Sequence, residues 1–175
     1  MKLIVNADDF GYSDEVNANI INCHQNGIVT SATILAGSEK FNEAIQLAKQ
    51  NPKLGIGVHL AIDGSNNIGK KYDTLLDAQT GNFYEDLLAV KKIGNGEFNF
   101  KELVSEYSLQ IEKVKEEAIQ ITHLDHHHHL HLYFPVLKAV IAVAKKYDIP
   151  FIRPQKILFT TKTSIPKKLY RLYHQ

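Results

Sequence analysis

Short apolar segments alternate along the chain with longer segments that have the spacing or the capping residues of helices. Five short segments, most of them rich in β-branched or long apolar residues, predict strands, at residues 2–7, 28–35, 54–62, 119–124 and 149–153. Helices are predicted between them, at residues 13–26, 41–49, 100–118 and 135–147, with one more after residue 82. Strands that alternate with helices indicate a parallel sheet and therefore an α/β fold.

The helix predicted over residues 100–118 has the clearest amphipathic pattern. Its apolar residues recur at helical spacing and fall on one face, which we expect to be buried: Phe100, Leu103, Val104, Tyr107, Ile111, Val114 and Ala118. Residues 63–82, in contrast, are dominated by glycine, asparagine and aspartate. This segment is predicted to be a long loop near a functional site rather than a linker between domains.

Composition indicates one globular domain over residues 1–175, with 44% hydrophobic and 22% charged residues. The formal net charge of +1 provides no overall field for nucleic acid or an anionic membrane. Residues 149–175 nevertheless carry six basic residues and no acid, so residues 155–175 form a basic tail whose structure the pattern does not predict. The chain has no recognisable leader and no apolar run of membrane-spanning length, so a cytoplasmic protein is expected.

The single cysteine, Cys23, excludes an internal disulfide and a thiolate-rich zinc site. Any metal must therefore be bound by nitrogen and oxygen ligands. Cys23 itself is expected to be a small buried apolar residue.

Six of the nine histidines lie between His123 and His131, in the sequence HLDHHHHLH. Imidazole nitrogens bind divalent metals, and an aspartate within the cluster adds a carboxylate. If the backbone is extended, alternate residues project to one side: Asp125, His127, His129 and His131. The cluster is internal and interrupted by a leucine, unlike a terminal affinity tag. A metal site is the first hypothesis, and a solvated polar loop with incidental metal affinity is the alternative.

Reactive residues follow or occupy three predicted strands. Asp8 and Asp9 come directly after the first strand, His59 lies in the third, and the histidine cluster follows the fourth. Each feature alone is more often a helix cap, a solvated pair or a core histidine. The carboxyl ends of parallel strands meet at one edge of a sheet or barrel, where sites assemble. Together, these residues therefore predict a site of carboxylates and imidazoles.

Four motifs make the chain resemble a known family, and the resemblance covers residues 1 to about 154. The motifs are VNADDFG at residues 5–11, GIVTS at 27–31, GVHL at 57–60, and THLD at 122–125, which runs into the histidines and Pro135. They resemble the YdjC-like carbohydrate deacetylases, which remove acetyl groups from chito-oligosaccharides and related N-acetylated sugars. The resemblance implies a distorted (β/α) barrel and an N-acetylated oligosaccharide as the substrate.

The resemblance also implies the roles of individual residues. By the family's pattern, Asp9, His59 and His127 hold one divalent metal ion, and Asp8 is the general base. The family implies Mg²⁺, whereas imidazole ligands favour a transition metal, so Zn²⁺, Mn²⁺ and Co²⁺ stay open. The chain departs from the pattern at His126, where the family has serine or a small polar residue. His126 is therefore an alternative ligand, although the spacing favours His127.

The implied reaction is metal-assisted hydrolysis of the acetamide. On an extended strand, His129 or His131 would share the face of His127, and either could protonate the departing amine. Arg153, at the end of the fifth predicted strand, could orient a carboxylate, bind substrate or form an ordinary ion pair.

Two other functions remain open. Asp125, His126 and His127 also spell the acid-His-His signature of a metal-dependent phosphoesterase superfamily, although the chain lacks a matching phosphate-binding glycine loop. The chain could also be a non-catalytic remnant that binds metal or sugar. Metal-dependent acetate release from a chitobiose substrate would distinguish deacetylation from both.

Strand counting generates the first testable prediction. Family members are longer than this chain, and five strands cannot close a barrel of about eight, so we expect the C-terminal part of the barrel to be missing and one sheet edge to stay unpaired. A second copy of the chain is the simplest cover for that edge, so we expect a homodimer. Light scattering on the purified chain should give twice the monomer mass. A monomer with a cooperative melt would show that the fold closes in another way.

Overall fold

A computed structural model describes residues 3–69 and 71–153 of the chain. Its strands are β1 (Asn6–Phe10), β2 (Ser31–Ile34), β3 (Gly55–Leu60), β4 (Ile121–His126) and β5 (Phe151–Ile152). They form one sheet in the order β1-β2-β3-β4-β5, and every neighbouring pair is parallel. The predicted α/β class and parallel sheet are confirmed, and the open sheet is consistent with a distorted barrel-like fold. The predicted basic tail, residues 155–175, lies outside the described residues.

Helices connect consecutive strands, as the hydrophobic pattern predicts. They are α1 (Asp14–Gln25), α2 (Phe41–Gln50), α3 (Asp86–Gly94), α4 (Phe100–Glu116) and α5 (Phe134–Lys146), and a 3₁₀ segment (His127–Leu132) precedes α5. Ser13 caps α1, because its hydroxyl accepts a hydrogen bond from the Val16 amide at 3.1 Å. Within the described residues, no helix combines the length and apolar character needed to cross a bilayer.

The first strand differs from its prediction. It begins at Asn6 rather than at residue 2, and it includes Asp8 and Asp9 instead of ending before them. The apolar residues Leu3 and Ile4, expected to be buried in the strand, are 71% and 77% exposed. The difference arises because pairing with β2 sets the bounds of β1, and β2 begins only opposite Asn6.

Cys23 was predicted to be buried, and that prediction is wrong because the residue is exposed. Helix α1 turns another face towards the core, and its buried residues are Asn17, Ile20 and Ile21. Helix α4 buries Leu103, Tyr107, Ile111 and Val114 as expected. Phe100, at the first position of α4, was expected on the buried face but is 48% exposed.

The segment between β3 and α3 is a long loop, as predicted, and α4 holds it in a defined shape. The Glu102 carboxylate accepts hydrogen bonds from the backbone amides of Asp73 and Thr74, at 3.1 and 3.0 Å. The Glu106 carboxylate accepts one from the Ile68 amide at 3.1 Å. Because helix side chains satisfy these backbone donors, the loop has a defined course at the carboxyl edge of the sheet.

The α4 core contact can be tested with two matched leucine substitutions. Leu103 is fully buried, whereas Leu87 in α3 is 87% exposed. Leu103→Ala should lower the free energy of unfolding by about 2–5 kcal/mol, because it leaves a cavity, and Leu87→Ala should change it by less than about 0.5 kcal/mol. Urea denaturation of both variants measures the difference. Equal losses would contradict the packing of α4 described here.

Candidate metal centre

Asp9, His59 and His127 converge at the carboxyl edge of the sheet. Asp9 Oδ1 lies 3.3 Å from His59 Nε2 and 3.0 Å from His127 Nδ1. The two imidazole nitrogens lie 3.3 Å from each other. The structure therefore brings one carboxylate and two imidazoles from β1, β3 and the end of β4 to a single point.

The three ligating atoms fit a divalent metal ion in both chemistry and spacing. Nitrogen and oxygen ligands about 2.1 Å from an ion lie about 3.0–3.4 Å apart in octahedral or tetrahedral geometry. The three observed separations are 3.0, 3.3 and 3.3 Å. A set of two imidazoles and one carboxylate suits transition metals such as Zn²⁺ and also accepts Mg²⁺ or Mn²⁺.

An unusual backbone conformation presents Asp9. The pairing of β1 with β2 shifts register between Ala7 and Phe10, and Asp9 has φ 65°, in the left-handed region. Few residues other than glycine adopt this region, although aspartate is among those that do. The Asp9 carbonyl then accepts a hydrogen bond from the Tyr12 amide at 3.0 Å, which closes a turn. Asp8 and Asp9 thus lie in the irregular part of β1, next to the carboxyl edge of the sheet.

A buried carboxylate orients His59. Asp125 is the direct partner of His59 in the pairing of β3 with β4, and its Oδ1 accepts from His59 Nδ1 at 2.6 Å. The other carboxylate oxygen accepts from Thr33 Oγ1 at 3.1 Å. Because Nδ1 is engaged, Nε2 of His59 faces Asp9. Metal sites usually have a carboxylate or carbonyl that accepts a hydrogen bond from the histidine nitrogen not facing the ion, and Asp125 has this position relative to His59.

The charges around His59 explain its protonation. Burial lowers the pKa of His59, but Asp125 and Asp9 outweigh burial and raise it to about 9. Contacts with His127 and His59 hold the pKa of Asp9 well below its usual value, against the effect of burial. Burial raises the pKa of Asp125, yet the hydrogen bond from His59 leaves it lowered overall. Without an ion, a proton on His59 balances two carboxylates, and that proton must leave before Nε2 can ligate.

The histidine cluster is not extended, so the predicted alternation of its side chains is wrong. Residues 127–132 form the 3₁₀ segment, in which His128 and His129 have φ 47° and 56°. His126 points away from Asp9 into the core, where Tyr107 Oη donates to its Nε2 at 2.7 Å and its Nδ1 donates to the His127 carbonyl at 2.7 Å. Burial lowers the pKa of His126 to about 3. The structure thus places His127, rather than His126, beside Asp9.

Asp8 and Arg153 form an ion pair next to this group. Arg153 Nη1 lies 2.6 Å from Asp8 Oδ1 and 3.2 Å from Asp125 Oδ2, so the guanidinium bridges two carboxylates. Asn6 Nδ2 donates to the same Asp8 oxygen at 2.8 Å. In the described part of the chain, Asp8 Oδ2 receives no hydrogen bond.

His129 and His131 do not lie side by side along a strand, as had been expected. His129 is half-buried, and burial lowers its pKa, with Arg153, Asp8, His59 and Asp125 close enough to act on its charge. His131 is buried, and its ring centroid lies 6.3 Å from that of His129. Burial also lowers the pKa of His131. Of the two, His129 is the more accessible at the site.

Sequence reasoning missed several residues that shape the site. It gave Asn6 and Thr33 no role, and it placed Asp125 in the histidine cluster but not as the partner of His59, because these contacts become visible only once the strand register is known. It also missed Gly64, which has φ +60° and leaves no room for a side chain. A Cβ at Gly64 would lie 2.5 Å from His127 Nε2. The glycine-rich composition of the loop was the available signal.

A cleft of about 420 Å³ adjoins the site. It is lined by the turn after β1, the loop after β2, the loop after β3 and the start of α3. Its lining includes Tyr12, Ser38, Gly64, Asn66, Tyr84 and Asp86. Gly64 lines the cleft and also lies against the His127 ring, so it stands between the cleft and that histidine. The mixture of aromatic and polar side chains suits a polar ligand with apolar ring faces.

Comparison with known proteins identifies relatives of the chain. Residues 2–174 match the family model described as YdjC-like protein. A carbohydrate deacetylase of Brevibacillus brevis is 36% identical over 157 residues, which cover 88% of this chain and 60% of that protein. A carbohydrate deacetylase of Halalkalibacterium halodurans is 40% identical over 152 residues, which cover 86% of this chain and 62% of that protein. The chain thus spans about three fifths of the length of these curated relatives.

Solved structures show the same fold. The crystal structure of a putative cellobiose-phosphate cleavage protein from Enterococcus faecalis matches with a TM-score of 0.79 and 31% identity, over 97% of this chain and 63% of that one. A lactam utilization protein from Thermus thermophilus matches with a TM-score of 0.53 and 18% identity, which shows likeness of fold alone.

The contact between Gly64 and His127 gives a prediction with a matched control. Gly64→Ala should weaken Mn²⁺ binding by about 10- to 100-fold, because the added methyl group displaces the His127 ring. Gly81 also has positive φ, at +73°, but a Cβ there would meet nothing within 4 Å. Gly81→Ala should therefore carry a similar backbone strain and keep the affinity. Titration calorimetry compares the two, and equal affinities would show that the contact does not position the ligand.

Proposed function

Because the chain belongs to the YdjC-like protein family, we propose that it removes the N-acetyl group of acetylated amino sugars such as chito-oligosaccharides. The observation that carries this proposal is the convergence of Asp9, His59 and His127 beside a cleft at the carboxyl edge of the sheet. The relatives named carbohydrate deacetylase support the same reaction class.

We assign Asp9, His59 and His127 as the ligands of one divalent metal ion. When bound, such an ion supplies Lewis acidity, which polarises an acetamide carbonyl and makes water more acidic. Asp125 holds His59 so that Nε2 stays available, and Gly64 leaves space for the His127 ring. The family resemblance favours Mg²⁺, whereas two imidazoles favour Zn²⁺, Mn²⁺ or Co²⁺.

Asp8 is the proposed general base. Arg153 and Asn6 both bind its Oδ1, which fixes the carboxylate and leaves Oδ2 to accept a proton from water. The water oxygen then forms a bond to the acetamide carbon, and the water proton goes to Asp8. Arg153 is thus a positioning residue, since it also contacts Asp125 and so couples the base to the support of His59.

His129 is the proposed general acid. The carbon–nitrogen bond breaks and the acetate carbonyl re-forms as the amine nitrogen receives the proton that Asp8 took from water. His129 is the half-buried histidine close to Asp8 and Arg153, and it would pass this proton to the amine. His131 lies behind it in the core and is the alternative donor. Acetate and the free amino sugar are the products.

The substrate is proposed to lie in the cleft of about 420 Å³ that reaches His127 through Gly64. Tyr12 is 59% exposed and follows the turn that presents Asp9, so its ring can stack against a sugar face. Asn66 and Ser38 can hydrogen-bond to hydroxyl groups. These contacts favour a carbohydrate over an apolar amide.

The Enterococcus faecalis protein of similar fold is described as a putative cellobiose-phosphate cleavage protein, which raises cleavage of a phosphorylated disaccharide as a second candidate. The discriminating experiment measures acetate release from N,N'-diacetylchitobiose, and product release from cellobiose phosphate and a generic phosphodiester. The chain is first stripped with a chelator and then supplied with Mg²⁺, Mn²⁺, Zn²⁺ or Co²⁺. Metal-dependent acetate release supports the proposal. Phosphate-ester or glycoside-phosphate cleavage without acetate release would replace it, and metal binding without turnover would indicate a binding protein.

The different roles proposed for Asp8 and Asp9 give a further prediction. Asp8→Asn should lower kcat by about 10²- to 10⁴-fold and leave metal affinity nearly unchanged, because it removes a proton acceptor and keeps all three ligands. Asp9→Asn, its neighbour on β1, should weaken metal binding and activity together. Calorimetry and acetate release measure the two effects. If Asp8→Asn abolishes metal binding, the two aspartates exchange roles or share the ion.

A further inference from the structure

A second group of ligating side chains lies beside the first. It consists of Asp63 in the loop after β3, Asp86 at the start of α3, and His128 in the 3₁₀ segment. His128 Nδ1 lies 2.9 Å from Asp63 Oδ2 and 3.3 Å from Asp86 Oδ1. Three separate parts of the chain thus direct two carboxylates and one imidazole to one place.

Asp63 supplies an independent sign that this group holds a ligand. Its side chain is fully buried, and among the described residues its Oδ1 has no hydrogen-bond partner. Burying a polar atom without a partner is destabilising, and more so when the atom is charged. The hydrogen bond from His128 engages only the other oxygen. A cation bound by the carboxylate would satisfy Oδ1, and buried charges are normally paired or metal-bound.

The local backbone keeps the two groups distinct. The rings of His127 and His128 lie 3.9 Å apart, yet Nδ1 of His127 faces Asp9 while Nδ1 of His128 faces Asp63. The left-handed conformation of His128, with φ 47°, accompanies this change in direction. Neither group shares a ligand with the other, so each can bind an ion by itself.

We propose that Asp63, Asp86 and His128 form a second divalent-cation site, separate from that of Asp9, His59 and His127. Two carboxylates and one imidazole suit Mn²⁺ or Zn²⁺. Bound there, the ion would tie the loop after β3 and the start of α3, which both line the cleft, to the end of β4. The site is inferred from its own side chains and does not depend on which substrate the cleft accepts.

The test counts Mn²⁺ ions bound per chain, from the electron paramagnetic resonance signal of free Mn²⁺ during titration of the metal-stripped protein. Wild type should bind two ions. Asp86→Asn should bind one, and its side chain is 58% exposed, so the substitution leaves the core intact. Glu85→Gln is the matched control, since it removes one exposed negative charge from the adjacent position and should still bind two.

Asp9→Asn is the third variant. It should also bind one ion, because it loses the ion of the first site and keeps that of the second. The proposal requires that the count fall from two to one with Asp86→Asn and stay at two with Glu85→Gln. Any other pair of counts overturns it, including one ion in wild type or equal counts in the two variants. A single ion that is lost with Asp9→Asn alone would leave the proposed deacetylase site intact. An inactive protein that binds two ions would instead count against the proposed function.

Discussion

The contact between His59 and Asp125 is the interaction on which the rest of the site depends. Both side chains are 2% exposed, and a 2.6 Å contact joins them across the direct register pair of β3 and β4. Removing either partner would leave a buried charge in the other without its shortest contact. Their pairing turns His59 Nε2 towards Asp9, so the parallel register of two strands decides where a metal ion can be bound.

The same carboxylate connects the outer strands to this centre. Asp125 also contacts Thr33 at the end of β2 and Arg153 beyond β5, and Arg153 in turn pairs with Asp8 on β1. All five strands therefore meet in one polar network at the carboxyl edge of the sheet. A change in the register of any strand would break contacts in this network. The network therefore holds the site together although the sheet is open.

Where sequence reasoning was wrong, tertiary contacts explain the difference. Residues 2–5 have strand-forming character, but β1 starts at Asn6 because its partner β2 begins there. Alternation predicted one row of histidines, but the cluster turns into a short 3₁₀ segment that is kinked by two consecutive left-handed residues, His128 and His129. The sequence left His126 as an alternative ligand, but in the structure His126 is buried against Tyr107, away from Asp9.

The sequence by itself determined the parallel α/β architecture, the order of its elements and the strand ends that carry Asp8, Asp9, His59 and His127, because hydrophobic periodicity and local capping are properties of neighbouring residues. Only the tertiary structure decided which histidine faces Asp9, that Arg153 bridges Asp8 and Asp125, and that Asp63 meets His128. These contacts join residues far apart in the chain, and their geometry depends on strand register and backbone turns that no local pattern encodes.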